Sequence, residues 1–292
     1  MTDLERLSQY TENDVEKATN KAWEDMSEIC YRSSEPKLYI LGGQAGAGKS
    51  TTSTEIYKKL NGNCISINLD DYRELHPNAK EIYKKSIPDS DEYSLYTNDF
   101  MKKIGDKILN KALENGYNVI LEKTLKSDSI SKDLDKFIKK GYELNLYIVT
   151  CKKENSITSA EQRYINAKAK FQRNNTNPPP RKISLEFQEK CFAGLGKTAE
   201  SLTQKYKFNE IKVIFRDRNF HQRVLFDNTD KMKCNKVKYI KPLIENLVYG
   251  KVISITQDEV NKIKNEVNKV GQKVLNSKDN IKNSKIIDKE LS

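Results

Sequence analysis

The sequence has few of the features that mark secreted, disulfide-rich or membrane-spanning proteins. Its 292 residues include five cysteines, which are scattered and form no CxxC pair, so neither a disulfide framework nor a zinc finger is expected. No run approaches the roughly 18 consecutive apolar residues that a membrane-spanning helix needs. The first residues also lack the basic and apolar regions of a secretory signal peptide. We therefore expect a cytoplasmic protein with reduced thiols and no membrane partner.

The composition is polar and basic. Hydrophobic residues make up 36% of the chain and charged residues 32%, and the mean hydropathy is −0.78. The 15 tyrosines and 9 phenylalanines still provide apolar surface for a core. Residues 229–292 hold 14 lysines against 8 acidic residues, so +6 of the net charge of +11 lies there. A basic balance suits nucleic acid, an acidic partner or phosphorylated ligands, and it does not decide among them.

The middle of the chain repeats a unit made of an amphipathic helix, a glycine and a short β-rich run. Helices are predicted over residues 51–60, 99–113 and 133–140. Strands are predicted over residues 37–41, 64–69, 117–121, 144–149 and 210–215. Glycine just after a helix is a common left-handed cap, and helices alternating with short strands indicate βαβ units. The sequence therefore predicts an α/β fold of the P-loop kinase type, with a parallel sheet and helices on both faces.

The segments on either side of this core are predicted to be helical. We expect an N-terminal helical flank over 1–36, a core over 37–228 with a lid around 154–185, and a basic helical C-terminal extension over 229–292 that packs on the core. An apolar stripe with helical spacing in the first flank comprises Val15, Ala18, Ala22, Met26 and Ile29. In the C-terminal extension, a capping box at 256–259 precedes a second apolar stripe.

The strongest motif is GQAGAGKS, which fits the pattern G-x-x-x-x-G-K-[ST] and lies between a predicted strand and a predicted helix. Its backbone N–H groups and the positive end of the helix dipole are expected to hold a polyphosphate. Lys49 is expected to reach the β- and γ-phosphates, and Ser50 to bind Mg²⁺. The expected nucleotide contacts are Gly43, Gln44, Ala45, Gly46, Ala47, Gly48, Lys49, Ser50 and Thr51. The motif thus predicts binding of a nucleoside triphosphate with Mg²⁺.

Two neighbouring acids follow the next strand. Asp70 is predicted to end that strand, at the edge of the sheet where ligands bind in α/β proteins. A carboxylate there can accept the proton of an attacking hydroxyl, as in small-molecule kinases, and Asp71 is expected to act as a cap or an outer group. No N/T-K-x-D base-reading motif occurs at a suitable place, which disfavours a GTPase.

In these segments the sequence resembles the zeta toxin family of toxin–antitoxin systems. The resemblance is carried by 42–50, by the Asp70 segment with the following His76-Pro77-Asn78, and by 121–124 and 162–164. In order and spacing it extends from about residue 10 to residue 270. It implies a kinase that uses ATP and Mg²⁺ to phosphorylate the 3′-hydroxyl of the N-acetylglucosamine in UDP-N-acetylglucosamine. It also implies an antitoxin that covers the nucleotide site.

The resemblance extends to individual site residues. Lys49 and Ser50 keep their phosphate and metal roles, and Asp70 matches the catalytic base of the family, which also contacts the substrate. The residues that match further substrate-binding positions are Asp106, Glu122, Thr124 and Lys126. Lys123 stands where the family has glycine, Asp106 where many members have glutamate, and Lys126 where arginine is common.

Phosphoryl transfer spreads negative charge over three oxygens, so the site is expected to recruit further cations. Arg163 lies on a helix predicted over 158–171, and Arg181 follows three consecutive prolines. A helix, a polar loop and a returning helix resemble a kinase lid, and the zeta toxin family uses two arginines at corresponding positions. Arg173 at the edge of the loop is the competitor for one of these two roles.

Two other functions are compatible with the same motifs. A polynucleotide or NAD-like kinase would use the same phosphate loop and Asp70, but the sequence shows no RNA-binding module and no interleaved aromatic and basic residues, so nucleic acid is not the expected partner. A nucleotide-dependent switch protein would bind ATP without transferring phosphate. The set of Lys49, Ser50, Asp70, Glu122 and Arg163 favours the enzyme, with a nucleotide sugar as substrate and an antitoxin as partner.

Overall fold

The apolar runs of the sequence form a central sheet. The computed structural model describes residues 1–174, 178–230 and 240–250. The strands in these ranges are β1 (Lys37–Gly42), β2 (Ile65–Ile67), β3 (Val119–Lys123), β4 (Glu143–Thr150), β5 (Glu210–Arg216) and β6 (Gln222–Asp227). They form one sheet in the order β2-β3-β1-β4-β5-β6. This arrangement confirms the predicted α/β fold.

The strands are parallel except at one edge. β1 lies between β3 and β4 and is parallel to both, and β2 and β5 continue the parallel arrangement outward. The central strands are almost wholly buried, because helices cover both faces of a parallel sheet. β6 is antiparallel to β5. The sequence analysis missed β6 because its three apolar residues are consecutive, so no alternation of polar and apolar residues marks a strand.

Helices pack on both faces of this sheet. Those in the described ranges are α1 (Asp3–Leu7), α2 (Glu12–Ser27), α3 (Lys49–Lys59), α4 (Ala79–Lys85), α5 (Glu92–Asn115), α6 (Ser131–Lys139), α7 (Lys153–Arg173), α8 (Leu185–Lys205) and α9 (Ile240–Tyr249). One apolar cluster joins the sheet to α2, α5, α6, α8 and α9, and a second joins it to α3. α5 is followed by Gly116, whose φ of 66° gives the predicted left-handed cap. No helix in the described ranges is both long enough and apolar enough to cross a bilayer.

One predicted strand is shorter than the sequence suggests. The run 64–69 was expected to be extended up to Asp70, but β2 ends at Ile67 and a 3₁₀ helix (Leu69–Leu75) follows. Asn68 caps this helix by accepting a hydrogen bond from the N–H of Asp70. Asp70 therefore lies in the first turn of a 3₁₀ helix and not at the end of a strand.

The N-terminal flank and α9 belong to one compact unit with the core, which extends from Met1 to Gly250. The apolar stripe predicted in the N-terminal flank is confirmed at Val15, Ala18 and Ala22, which are buried in the main core. It is wrong at Ile29, which lies beyond α2 and is 59% exposed. α9 also contributes buried side chains to the main core. The capping box at 256–259 and the second apolar stripe lie outside the described residues.

Candidate active site

The phosphate-loop motif connects β1 to α3, as its sequence context predicts. Gly48 precedes α3 with a φ of 96°, and a Cβ atom there would lie 2.8 Å from Cδ of Arg216. Only glycine therefore fits this position, because its backbone is left-handed and a neighbour lies close. The Lys49 ammonium donates to the carbonyl oxygens of Gly43 at 3.0 Å and Gln44 at 3.3 Å. The lysine thus lies against the loop that is expected to hold phosphates.

Side chains from β5 and β6 hold the far side of this loop. Arg216 is 2% exposed and donates to the carbonyl oxygens of Gly46 at 2.8 Å and Ala47 at 3.2 Å. Gln222 donates to the carbonyl oxygen of Gly48 at 2.8 Å. These hydrogen bonds to the loop carbonyls hold the backbone of the loop in its conformation. The sequence analysis missed both residues, since neither belongs to a recognisable motif.

α7 supports the loop from a third side. The hydroxyl of Ser156 donates to the carbonyl oxygen of Ala45 at 2.5 Å. The side chain of Ala45 packs with Ala160 and Ile183 in a small apolar cluster. Since α7 also carries Arg163, a movement of this helix would be transmitted directly to the phosphate loop.

Asp70 is held by two arginines. Its Oδ1 accepts a hydrogen bond from Nε of Arg73 at 2.9 Å, and its Oδ2 accepts one from the guanidinium of Arg181. Burial acts to raise the pKa of Asp70, but the charges of Arg181 and Arg73 outweigh it and hold the pKa below its ordinary value. Asp70 is therefore ionised at neutral pH, as a proton acceptor must be.

Arg73 connects Asp70 to α5. Its guanidinium donates to the carbonyl oxygen of Ser94 at 2.7 Å, to the Thr97 hydroxyl at 3.0 Å and to Oδ1 of Asn98 at 2.7 Å. The side chain is only 4% exposed. A buried guanidinium with this many partners is rigid, so it fixes the carboxylate that it holds. Arg73 was missed by the sequence analysis, although its position three residues after Asp70 in a helical turn is a signal for such a pair.

Glu122 and Arg163 complete a cluster of charges around Lys49. Burial lowers the pKa of Lys49, and Glu122 and Asp70 oppose this effect. Burial raises the pKa of Glu122, and Lys49 opposes it. Burial and the charge of Arg181 lower the pKa of Arg163, which Asp70 and Glu122 act to raise. The structure thus brings together Lys49, Asp70, Glu122, Arg163 and Arg181 from five separate segments of the chain.

Asp71 adds a carboxyl group whose pKa is shifted in the opposite direction from that of Asp70. Burial together with the charges of Asp70 and Glu122 raises the pKa of Asp71 to about 6. Its Oδ1 accepts a hydrogen bond from the Asn68 amide at 2.9 Å. The expected helix cap is wrong for Asp71, because Asn68 caps the 3₁₀ helix. Asp71 instead belongs to the charged surroundings of Asp70.

Asp106 and Lys123 belong to another group of charges. Lys123 lies two residues after Leu121, whose side chain packs in the core on the α5 side of the sheet, and Glu122 points to the opposite face. Burial lowers the pKa of Lys123, and the charges of Asp133 and Asp106 oppose this effect. Desolvation raises the pKa of Asp106, Asp133 adds to this, and Lys123 opposes it. Lys123 thus faces α5 and α6 rather than Glu122, and contact of Asp106 with a substrate stays a prediction.

The two remaining substrate-binding candidates lie next to α8. Burial raises the pKa of the Cys191 thiol, and a hydrogen bond with Thr124 opposes this effect. The ammonium of Lys126 is exposed and lies 4.3 Å from the centre of the Phe187 ring. The start of α8 therefore forms one wall of the region after β3.

The structure distinguishes Arg173 from Arg181, the two residues that competed for one phosphate-binding role in the sequence analysis. Arg173 is exposed in the last turn of α7, whereas Arg181 pairs with Asp70. Nε of Arg181 is buried and has no hydrogen-bond partner among the described residues. An unpartnered buried N–H group carries a desolvation penalty until an acceptor reaches it. Arg181 therefore keeps one unsatisfied donor, which an anionic ligand would satisfy if it reached this atom.

The residues present fit the Mg²⁺ that the motif implies. Among the described residues, no group of three or more His, Cys, Asp and Glu side chains could hold a metal ion. Mg²⁺ in phosphate-transfer sites needs no such cage, because it keeps several waters and takes few protein oxygens beside those of the phosphates. The exposed hydroxyl of Ser50 in the first turn of α3 suits this role. Glu122, which is hydrogen-bonded to Ser53, supplies a second oxygen group nearby.

Comparisons with known proteins identify relatives of this chain. The family model described as Zeta toxin matches residues 20–231. Toxin PezT of Streptococcus pneumoniae is 31% identical over 159 residues, which are 54% of this chain and 62% of that protein. Toxin zeta of Streptococcus pyogenes is 25% identical over 169 residues, which are 55% of each chain. The matched region is thus less than two thirds of these relatives.

Solved structures with the same fold are also known. A chain from the PezAT chromosomal toxin–antitoxin system of Streptococcus pneumoniae has a TM-score of 0.66 and 21% identity, over 91% of this chain and 99% of that one. A chain of the AvrRxo1-ORF1:AvrRxo1-ORF2 complex has a TM-score of 0.55 and 12% identity, over 89% and 79%. At these identities the likeness shows the fold alone. The match of the family model to most of the sequence, however, shows that this chain belongs to the zeta toxin family.

Proposed function

We propose that this protein is an ATP- and Mg²⁺-dependent kinase. Its acceptor is the 3′-hydroxyl of the N-acetylglucosamine in UDP-N-acetylglucosamine, or a hydroxyl of a related nucleotide sugar. The observation that carries the proposal is the mutual proximity of five charged groups next to the phosphate loop, each of which acts electrostatically on others of the set: Lys49, Asp70, Glu122, Arg163 and Arg181. This set contains a proton acceptor, a phosphate-binding lysine and two further cations.

These groups match what phosphoryl transfer requires. ATP supplies the phosphoryl group, and Mg²⁺ neutralises charge on the phosphates. Asp70 takes the proton of the acceptor hydroxyl while the hydroxyl oxygen forms its bond to the γ-phosphorus and the bond from phosphorus to the leaving ADP oxygen breaks. Lys49, Arg163 and Arg181 stabilise the charge that spreads over the transferring oxygens. Glu122 is placed to orient the acceptor.

We also propose that the protein is a toxin restrained by an antitoxin. The relatives PezT and zeta are both called toxins, and the PezAT structure comes from a toxin–antitoxin system. A partner that covers the crevice between Lys49 and Asp70 would block access of both substrates. The basic residues of that crevice favour a partner with an acidic segment.

The test is a transfer assay with ATP labelled in the γ-phosphate. Purified protein and its Asp70→Asn variant are incubated with Mg²⁺ and, separately, UDP-N-acetylglucosamine, other UDP-sugars, NAD and oligonucleotides. We expect label on the sugar of a UDP-sugar with the wild type only. Transfer to NAD or to oligonucleotides alone would replace the proposed acceptor. Binding of ATP with no transfer to any acceptor would contradict the kinase and favour a nucleotide-dependent switch.

A further inference from the structure

The turn between β5 and β6 exposes a phenylalanine in an unfavourable backbone conformation. Phe220 is 69% exposed, although it is a large apolar residue. Its φ of 65° lies in the left-handed region, where bulky side chains are rare and glycine or asparagine is preferred. Strained residues of this kind are concentrated at ligand-binding and catalytic sites. The backbone of this turn does not by itself account for a phenylalanine.

The turn that carries Phe220 is ordered. The carboxylate of Asp217 accepts hydrogen bonds from the N–H groups of Asn219 at 2.8 Å and His221 at 3.0 Å. The guanidinium carbon of Arg216 lies 4.7 Å from the centre of the Phe220 ring. Arg216 is itself immobilised by its hydrogen bonds to the phosphate loop and to Ser159 of α7. The ring is thus held in place against a fixed cation.

The topology places this ring at one end of the nucleotide site. β2 and β3 lie on one side of β1, and β4, β5 and β6 lie on the other. Asp70 and Glu122 follow or end strands on the first side, and Arg216 contacts the phosphate loop from the second side. A triphosphate whose γ end lies at Lys49 and Asp70 therefore extends across the loop toward β5. Its nucleoside would then leave the loop beside the turn 217–221.

We propose that the exposed ring of Phe220 is the stacking surface for the base of the nucleotide. This inference rests on the proposed function, because it takes the phosphate loop to hold a nucleoside triphosphate. An aromatic ring is suited to the role because every base offers a π-face. Arg216 would then serve two purposes, since it shapes the loop that holds the phosphates and supports the ring that holds the base.

Two ligands separate a role in base stacking from a role in folding. AMP-PNP carries the base, whereas inorganic tripolyphosphate has the phosphates without it. Affinities of both, in the presence of Mg²⁺, are measured by titration calorimetry for the full chain and for Phe220→Asn, Phe220→Trp and Tyr31→Asn. Asparagine tolerates the left-handed φ, so the turn is kept while the ring is removed. Tyr31 is a matched control, because it is 65% exposed and its N–H donates to Asn63, which precedes β2 at the opposite edge of the sheet from β6.

We expect Phe220→Asn to weaken AMP-PNP binding by at least about fivefold, the lower end of what stacking of one base contributes. Tripolyphosphate affinity should stay within twofold, and Phe220→Trp and Tyr31→Asn should bind both ligands like the wild type. Equal weakening of both ligands, or no weakening of either, overturns the stacking role. The second outcome would point to a protein partner for this ring. If the wild type binds neither ligand, the proposed function fails at the phosphate loop, and the stacking role fails with it.

Discussion

Arg181 forms an ion pair with Asp70, which lies 111 residues earlier in the sequence. The pair joins the carboxylate expected to accept a proton to a guanidinium expected to stabilise the transferring phosphate. Arg181 binds Oδ2, and Arg73 binds Oδ1. To contact a phosphate oxygen fully, Arg181 has to release Oδ2, while Arg73 can remain in place. Closure of the predicted lid would then leave the carboxylate oriented and one of its oxygens open to the acceptor hydroxyl.

The first prediction concerns Asp70 itself. Asp70→Ala should abolish transfer and leave ATP binding nearly intact, because the carboxylate acts on the acceptor and not on the nucleotide. A positioned base contributes ~10²–10⁴-fold, so we expect a fall in kcat of at least about a hundredfold. Lys49→Ala is the contrasting variant and should impair nucleotide affinity and kcat together. More than about a tenth of wild-type transfer by Asp70→Ala would exclude its role as the base.

The second prediction separates the three arginines of the lid region. Arg163→Ala and Arg181→Ala should lower kcat with little change in ATP affinity, since a guanidinium that binds the transferring phosphate acts mainly in the transition state. Such arginines contribute up to ~10³–10⁵-fold in related reactions. Arg173→Ala is the matched control and should be mild. If Arg173→Ala lowers kcat strongly and Arg181→Ala leaves kcat unchanged, the assignment of the two residues is reversed.

The third prediction concerns pH and Arg73. Transfer requires ionised Asp70, so kcat/KM should fall as the pH falls through the pKa of Asp70, which the arginines hold below its ordinary value. Arg73→Gln removes one of these charges, so the acid limb of the profile should move to higher pH. The charged groups that act on Asp70 or feel its charge are Arg73, Arg163, Arg181, Lys49, Asp71 and Glu122.

Thr97→Val is the control for Arg73, because it removes one hydrogen-bond partner of the guanidinium and leaves its charge. Thr97→Val should move the acid limb little. Arg73→Lys keeps a positive charge, so it should move the limb less than Arg73→Gln does. If Arg73→Gln lowers kcat/KM equally at every pH, together with the melting temperature, Arg73 only stabilises the fold.

The fourth prediction concerns the support of the phosphate loop. Arg216→Met leaves the carbonyl oxygens of Gly46 and Ala47 without their buried donor, at a cost of about 1–3 kcal/mol for each unsatisfied group. The melting temperature and the tripolyphosphate affinity should therefore both fall. Arg218 lies in the same turn and is exposed, so Arg218→Met should change neither the melting temperature nor the tripolyphosphate affinity. Unchanged tripolyphosphate affinity in Arg216→Met would show that the loop keeps its shape without this arginine.

The fifth prediction concerns the proposed toxicity. Expression of the wild type without a partner should arrest growth of a host that makes UDP-N-acetylglucosamine, and Lys49→Ala should restore growth. Immunoblots have to show equal amounts of the two proteins. If the host grows equally well with the wild type and with Lys49→Ala, the proposal of a toxin loses its main support.

Local sequence was sufficient to locate the phosphate loop and the parallel sheet. The loop motif is contiguous, and a strand before it and a helix after it are visible in the pattern of apolar residues. The alternation of helices and strands restricts the architecture, because parallel strands need crossover helices. β6 escaped detection, since an edge strand with polar residues has no periodicity that separates it from a loop.

The partners of the charged residues were decided only by the tertiary structure. Asp70 lies within three residues of Arg73 but is paired equally with Arg181, which a polar loop and three prolines separate from α7. Lys123 is adjacent to Glu122 in sequence, yet the alternation of side chains along β3 directs it to the opposite face of the sheet. The physical reason is that charge interactions depend on distance in space. Only the packing of helices such as α5 and α7 on the sheet determines those distances.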